Sequence, residues 1–203
     1  KGKTRMTTDS ENWTTYRLVV LDVEGNGAQP PELVEVGIVV IDQAAVVEPP
    51  HTWLVKPAKK ISAKVTAIHG IKNSDVAKAQ RFEDVAHAVR DVLRDDYVVA
   101  HSASVDVEVL SRQLPGWKPR GVIDTLRLAR RFLPGRGSYA LGSLIKDLEL
   151  MSGSQGAHRA GYDALAAARL FTRLARDEKG QPRPLTSILA PIEPPGTGQG
   201  SLF

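Results

Sequence analysis

The chain has 203 residues, enough for one well-packed domain with appendages rather than two full domains. Hydrophobic residues make up 42% and charged residues 25%, a composition of globular proteins that excludes a disordered chain. The formal net charge of +4 suits a polyanionic partner, although many proteins that bind no nucleic acid have a similar charge.

Cysteine is absent, which excludes disulfides, thiol nucleophiles and cysteine-based zinc sites. Any metal ion must therefore be bound by oxygen or by histidine nitrogen, which makes Mg²⁺ or Mn²⁺ the natural candidate. No apolar run approaches the roughly 18 residues of a membrane helix, and the polar residues 1–13 do not resemble a secretory signal. We therefore expect a cytoplasmic protein.

Three strands are predicted in the first part of the chain. Residues 16–23 form an almost unbroken apolar run, as in a central strand that is buried on both faces. Residues 33–41 are dominated by β-branched side chains. Residues 46–55 contain Pro49 and Pro50, which favour a strand near a sheet edge or bulge.

The hydrophobic period changes at residue 82. Phe82, Val85, Val89 and Leu93 fall on one helical face with charged residues opposite, which predicts an amphipathic helix. Short strands and further helices are predicted after it, with strands at 97–100 and 121–123 and helices at 105–114, 126–132, 139–148 and 161–176. Strands followed by alternating strands and helices predict an α/β fold.

The chain is expected to have three segments. Residues 1–13 are predicted to be a flexible N-terminal segment, residues 14–177 the folded domain, and residues 178–203 a tail. The tail is rich in proline and glycine, which predicts a segment without a core of its own.

Asp22 and Glu24 lie at the end of the most apolar strand. Residues two apart on a strand point to the same face, so the two carboxylates project side by side. Like charges this close raise one another's pKa unless a cation or a proton lies between them, which points to a metal site. The alternative is that the strand simply ends and the acids enter a solvated turn at residues 25–27.

Two more acids lie on the apolar faces of predicted helices. Asp163 shares its face with Ala167, Leu170 and Leu174, and Asp106 lies on a similar apolar face of the helix at 105–114. An unpaired buried carboxylate is costly, so something should compensate its charge. The alternative for each is an aspartate that caps the N-terminus of its helix.

The order of these residues along the chain is more specific than any one of them. It rests on LDVEGNG at 21–27, VVAHSASVDVEVL at 98–110 and HRAGYDALAAARLF at 158–171. At these segments the chain resembles the DEDDh exonuclease family, the DnaQ-like group that includes the proofreading subunit of the bacterial replicative DNA polymerase. VIDTLRLARRFLPG at 122–135 also resembles that family's connecting helices, and the resemblance extends over residues 16–176.

The resemblance implies a ribonuclease H-like fold, an α/β structure with a mixed five-stranded sheet flanked by helices. It implies that two divalent metal ions, Mg²⁺ or Mn²⁺, are held by four acids: Asp22, Glu24, Asp106 and Asp163. It also implies that His158 is the general base. The family's tyrosine branch would have tyrosine at position 159, where this chain has arginine, so His158 indicates the histidine branch.

The chain departs from the family pattern around the substrate. Gly25 and Asn26 stand where a threonine pair is usual, Ser102 replaces a common asparagine, and Val105 replaces a common phenylalanine. Gly25, Asn26 and Ser102 are predicted to bind substrate, so these departures bear on nucleotide preference.

The expected function is a 3′→5′ exonuclease that releases nucleoside 5′-monophosphates from DNA in proofreading or repair. One alternative is an oligoribonuclease or RNA-trimming enzyme with the same site. Another is a catalytically weak pseudo-exonuclease that acts as a binding module, although the complete set of acids argues against it.

The last residues suggest a partner. Gln199, Leu202 and Phe203 resemble the short peptide by which bacterial polymerases and repair enzymes bind the sliding clamp. A proline- and glycine-rich tail would let these residues reach a partner. The alternative is that Leu202 and Phe203 fold back onto the domain.

Overall fold

The computed structural model describes residues 11–152 and 158–189. It contains five strands, namely β1 (Leu18–Gly25), β2 (Leu33–Asp42), β3 (Ala45–Leu54), β4 (Tyr97–Ala100) and β5 (Gly121–Asp124). They form one mixed sheet in the order β3-β2-β1-β4-β5. β1, β2 and β3 are antiparallel neighbours, whereas β4 and β5 join in parallel. The predicted five-stranded mixed sheet is confirmed, and the proline-containing strand lies at its edge.

Seven α-helices are described. They are α1 (Ala63–His69), α2 (Phe82–Leu93), α3 (Ser104–Gln113), α4 (Thr125–Phe132), α5 (Leu141–Asp147), α6 (Ala160–Leu174) and α7 (Leu185–Leu189). A short 3₁₀ helix at Trp13–Thr15 precedes β1. No helix in residues 11–152 or 158–189 has both the length and the apolar character needed to cross a membrane.

Helices cover both faces of the sheet. Leu18 and Val20 of β1 pack into a core cluster with α4, α5, α6 and α7, while Val19 and Leu21 pack into a second cluster with α2 and α3. Each such side chain contributes about 1.5 to 3 kcal/mol through its burial. Because side chains alternate along a strand, the same period carries Asp22 and Glu24 onto the face that α6 covers.

The N-terminal end of α6 lies directly on β2. A Cβ atom at Gly37 would lie 2.2 Å from the carbonyl carbon and oxygen of Ala160 and 2.4 Å from the backbone nitrogen of Gly161. Only glycine permits so close an approach of the two backbones. This contact brings the first turn of α6 over the sheet, next to the acidic end of β1.

The folded unit extends further at both ends than the sequence analysis predicted. Trp13 is fully buried, and its Nε1 donates a hydrogen bond of 2.8 Å to the carbonyl oxygen of Ala175. Leu185 and Ile188 of α7 belong to the same core cluster, so the chain packs on the domain well beyond residue 177. The proline-rich composition concealed this short apolar helix. Gln199, Leu202 and Phe203 lie outside the described residues.

Candidate active site

Three of the predicted acids converge where β1 meets α6. Asp22 and Glu24 come from β1, and Asp163 comes from the first turn of α6. Each offers a carboxylate oxygen such that the three atoms lie within 4.8 Å of one another, and all three side chains are partly buried. A group of hard oxygen donors at this spacing suits a divalent cation.

Burial raises the pKa of every acid in this group. The pKa of Asp22 lies well above its usual value because of burial and the charges of Asp106, Asp163 and Glu24. Burial and the charge of Asp163 raise the pKa of Glu24 to about 8. Burial also raises the pKa of Asp163. The site therefore favours uptake of a proton or a cation.

Asp106 lies beside this group but is not one of the three converging acids. It is buried in the first turn of α3, and its Oδ1 accepts a hydrogen bond of 3.1 Å from the backbone nitrogen of Val23. Burial raises its pKa to about 7. Its charge is the largest electrostatic influence on Asp22, so the fourth predicted acid belongs to the same electrostatic cluster.

The alternatives considered for these acids do not hold in the structure. The N-cap residues are Arg159 for α6 and Ala103 for α3, and neither helix has a side-chain cap at that position. The carboxylate of Asp163 instead accepts a hydrogen bond from the backbone of His158. β1 continues to Gly25, so Asp22 and Glu24 lie within a paired strand rather than in a turn.

A cleft of about 690 Å³ opens beside the three acids. This volume lies within the range of small-molecule sites, about 300 to 1,000 Å³. The cleft combines the acidic group with an apolar wall that includes Ile68, Leu141, Ile145, Met151 and Tyr162. Ile68 is 53% exposed, so it presents an apolar surface that a flat ring could contact.

His158, the predicted general base, lines this cleft. Its side chain is exposed, and its backbone donates the hydrogen bond that the carboxylate of Asp163 accepts. Its backbone has a φ of 60°, in the left-handed region that non-glycine residues rarely adopt. Such conformations cluster at functional sites, where surrounding contacts hold them in place.

Asn26 does not have the surface position that its predicted role in substrate binding requires. It is fully buried, and its Oδ1 accepts hydrogen bonds from the backbone nitrogens of Ala28 and Glu32. Its Nδ2 donates to the carbonyl oxygen of Lys59. The side chain is therefore occupied in holding the loop after β1, which corrects the prediction.

Gly25 and Ser102 have different surroundings. Gly25 lines a second, smaller cavity of about 190 Å³ next to Glu24 and Ile68, close to the cleft. Ser102 is exposed with a φ of 67°, and its backbone nitrogen donates to Asp124, but it does not line the cleft. Substrate binding by these two residues stays a prediction.

His101 lines the cleft but is held by protein groups on both sides. Its Nδ1 lies 2.9 Å from the hydroxyl oxygen of Thr125, and its Nε2 lies 3.0 Å from the carbonyl oxygen of Tyr139. The carbonyl can only accept, so Nε2 carries the proton. Burial lowers the pKa of His101, which favours the neutral ring and a role in joining α4 to the segment before α5.

Sequence reasoning missed two residues next to the acids. Glu35 of β2 is only 3% exposed and lies opposite Glu24 in the strand register. Its carboxylate pairs with Arg159, the residue that follows His158. The signal available in the sequence was an acid inside the apolar run of residues 33–41, where only a paired carboxylate is tolerated.

Comparison with known proteins agrees with this geometry. The RNase_T exonuclease family matches residues 19–171. The PolC-type DNA polymerase III of Thermotoga maritima is 35% identical over 176 residues, and the match covers 83% of this chain but 12% of that protein. The 3′-5′ exonuclease DinG of Bacillus subtilis is 31% identical over 178 residues, covering 83% of this chain and 18% of that protein. The chain thus spans less than a fifth of either relative.

Solved structures show the same architecture. Exonuclease X in complex with 5′ overhanging duplex DNA has a TM-score of 0.66 and 30% identity, and the match covers 85% of this chain and 99% of that chain. Escherichia coli exonuclease I in complex with a dT13 oligonucleotide has the same TM-score at 17% identity, covering 78% of this chain and 41% of that chain, which shows the fold alone. These neighbours confirm the ribonuclease H-like fold. With the family match over three quarters of its length, the chain belongs to the RNase_T exonuclease family.

Proposed function

We propose that this chain is a metal-dependent 3′→5′ exonuclease that releases nucleoside 5′-monophosphates from a DNA end. The observation that carries the proposal is the convergence of Asp22, Glu24 and Asp163 at the edge of a cleft of nucleotide size. DNA is favoured as substrate because Exonuclease X, which is similar over 85% of this chain, was solved with duplex DNA.

The acids fit a divalent-metal site by their chemistry. Burial raises the pKa values of Asp22, Glu24, Asp106 and Asp163, so ionisation of the whole group at neutral pH calls for a compensating cation. Asp22, Glu24 and Asp163, with Asp106 behind them, would hold two ions, Mg²⁺ or Mn²⁺. When bound, such ions supply charge stabilisation for the attacking and departing oxygens at phosphorus.

The remaining steps fall to side chains that line the cleft. His158 is exposed next to Asp163, where it would accept the proton of the attacking water as general base. Lys146 projects from α5 at the same cleft and would neutralise a backbone phosphate. Ile68 and Tyr162 would contact the terminal nucleotide through their apolar surfaces.

Digestion of matched labelled substrates tests the proposal. The substrates are single-stranded DNA, duplex DNA with a 5′ overhang, and RNA of the same sequence, each with EDTA, Mg²⁺ or Mn²⁺. We expect 5′-monophosphates from DNA only with metal ion, and none from Asp22→Ala. Asp91→Ala, which changes an exposed aspartate of α2, is the matched control and should keep full activity. Metal-independent release, or full activity of Asp22→Ala, would contradict the two-metal assignment, and faster release from RNA would favour the RNA-trimming alternative.

For the tail, we propose that Gln199, Leu202 and Phe203 bind a bacterial sliding clamp, a hypothesis that rests on the sequence alone. The relatives and neighbours compared above give it no support. Deletion of residues 199–203 should leave hydrolysis of short single strands unchanged and abolish clamp binding in a titration. Equal binding by the full-length and truncated chains would refute it. The cytoplasmic location likewise stays a prediction.

A further inference from the structure

Glu35 is a fifth carboxylate in the neighbourhood of the four predicted ligands. It lies on β2 directly opposite Glu24 of β1, and it is almost completely buried. Its charge contributes to the raised pKa of Asp22, Glu24 and Asp163. An acid here opposes the ionisation of the site, so its presence needs a reason.

The bonds of Glu35 supply that reason. Its Oε2 accepts a hydrogen bond of 3.0 Å from Nε of Arg159 and one of 2.8 Å from the backbone nitrogen of Ala160. Its Oε1 accepts a further hydrogen bond from Nη2 of Arg159. Both carboxylate oxygens are thus satisfied, by a two-pronged guanidinium contact and by the first backbone N–H of α6.

These bonds join β2 to the start of α6 at the point where two functional residues meet. His158 immediately precedes Arg159, and the backbone nitrogen of Asp163 donates to the carbonyl oxygen of Arg159 at 2.9 Å. A negative charge at a helix N-terminus is favourable, and charge-assisted hydrogen bonds are stronger than neutral ones. The pair therefore fixes the backbone on both sides of Arg159.

We propose that Glu35 and Arg159 are a pair of positioning residues, the Glu35–Arg159 pair, which holds the N-terminal end of α6 on β2 so that Asp163 and His158 face Asp22 and Glu24. Its effect on catalysis rests on the proposed function, but its effect on local structure does not depend on that function. Arg159 is about half exposed, and its guanidinium contacts the carboxylate of Glu35.

Hydrogen exchange and Mn²⁺ titration of the full chain test the role of the Glu35–Arg159 pair. We compare wild type with Arg159→Gln, Arg159→Lys and Glu35→Gln. The matched control is Arg169→Gln, since Arg169 is also on α6 and pairs with Glu48 of β3, with 35% and 45% of the two side chains exposed. Exchange of the amides of residues 160–163 measures the local stability of the start of α6, and exchange of the α2 amides measures global stability.

In Arg159→Gln and Glu35→Gln, we expect exchange at residues 160–163 to accelerate by about 10-fold or more, with α2 nearly unchanged, because the charged contact between half-exposed Arg159 and the buried position 35 is lost. Mn²⁺ affinity should fall by a similar factor. Arg159→Lys, which keeps the charge but not the two-pronged geometry, should lie between wild type and Arg159→Gln. Arg169→Gln should match wild type in both measurements.

Unchanged local exchange and unchanged Mn²⁺ affinity in Arg159→Gln would overturn the proposed role of the Glu35–Arg159 pair. An increase in KM for DNA with no change in either measurement would also overturn it, because Arg159 would then contact substrate. If wild type bound no Mn²⁺, the proposed function would fail. Hydrogen exchange would still decide whether the Glu35–Arg159 pair holds the start of α6 on β2.

Discussion

Replacement of Glu24 by glutamine should stabilise the metal-free protein, and the gain should grow with pH. The pKa of Glu24 is raised from 4.5 to about 8 in the folded protein by burial and by the charge of Asp163. Between these values the folded state binds more protons than the unfolded state. The contribution of Glu24 to the free energy of unfolding is therefore fully present below the pKa of Glu24 in the unfolded chain. It is lost as the pH rises through the pKa of Glu24 in the folded protein.

The size of the effect follows from the two pKa values. At about pH 7 the unfolded chain ionises Glu24 while the folded chain keeps it mostly protonated, which costs the folded state about 3 kcal/mol. At about pH 5 the same cost is below about 1 kcal/mol. Glu24→Gln removes this cost, so its stability relative to wild type should rise by about 2 kcal/mol between these pH values.

Urea unfolding in EDTA at several pH values measures this difference, and 2 kcal/mol corresponds to about 4 to 8 °C in melting temperature for a domain of this size. Comparison of the variant with wild type at each pH cancels the titration of groups away from Glu24, such as His101. Glu178→Gln, which changes an exposed glutamate outside the cleft, is the control. A stability difference for Glu24→Gln that does not change with pH would refute the inference that burial and the neighbouring acids raise the pKa of Glu24.

Three further predictions concern the neighbourhood of the acids. Gly37→Ala should destabilise the protein by about 2 kcal/mol or more, because the added Cβ would lie 2.2 Å from the backbone of Ala160. Gly142→Ala is the control, because a Cβ there would lie in open space. Equal unfolding free energies for the two variants would contradict the close contact at Gly37. His158→Ala should lower kcat by about 10² to 10⁴ while DNA binding persists, and a mainly binding defect would assign it another role. Lys146→Gln should raise KM for DNA and reduce the salt dependence of log Kd by about one, and an unchanged salt slope would exclude a phosphate contact.

Much of the fold could be predicted because it is written in local periodicity. The apolar run at 16–23, the alternation within it and the helical stripe that starts at Phe82 all correspond to observed elements. The same rule placed Asp22 and Glu24 on one face of β1, and the helical period placed Asp163 on the inward face of α6. These positions depend only on residues a few places apart in the chain.

The chain order of the motifs also indicated the exonuclease family, which the family match over residues 19–171 shows. The sequence did not indicate which polar side chains would form hydrogen bonds within the protein instead of binding substrate. Asn26 looked available next to the acids, but the loop that follows β1 buries it and occupies its side chain with backbone groups. A side chain's hydrogen-bond partners depend on how the loop folds, which composition alone does not specify.

Sequence periodicity thus determined the strands, the main helices and the faces on which the acids lie, because those features arise from neighbours in the chain. Tertiary structure decided the rest through contacts between distant segments. Glu35 meets Arg159 across 124 positions, and Trp13 meets Ala175 across 162, which draws both ends of the described chain into the core. No local pattern specifies such pairs, because their partners come together only when β2, α6 and the two ends of the chain pack against one another.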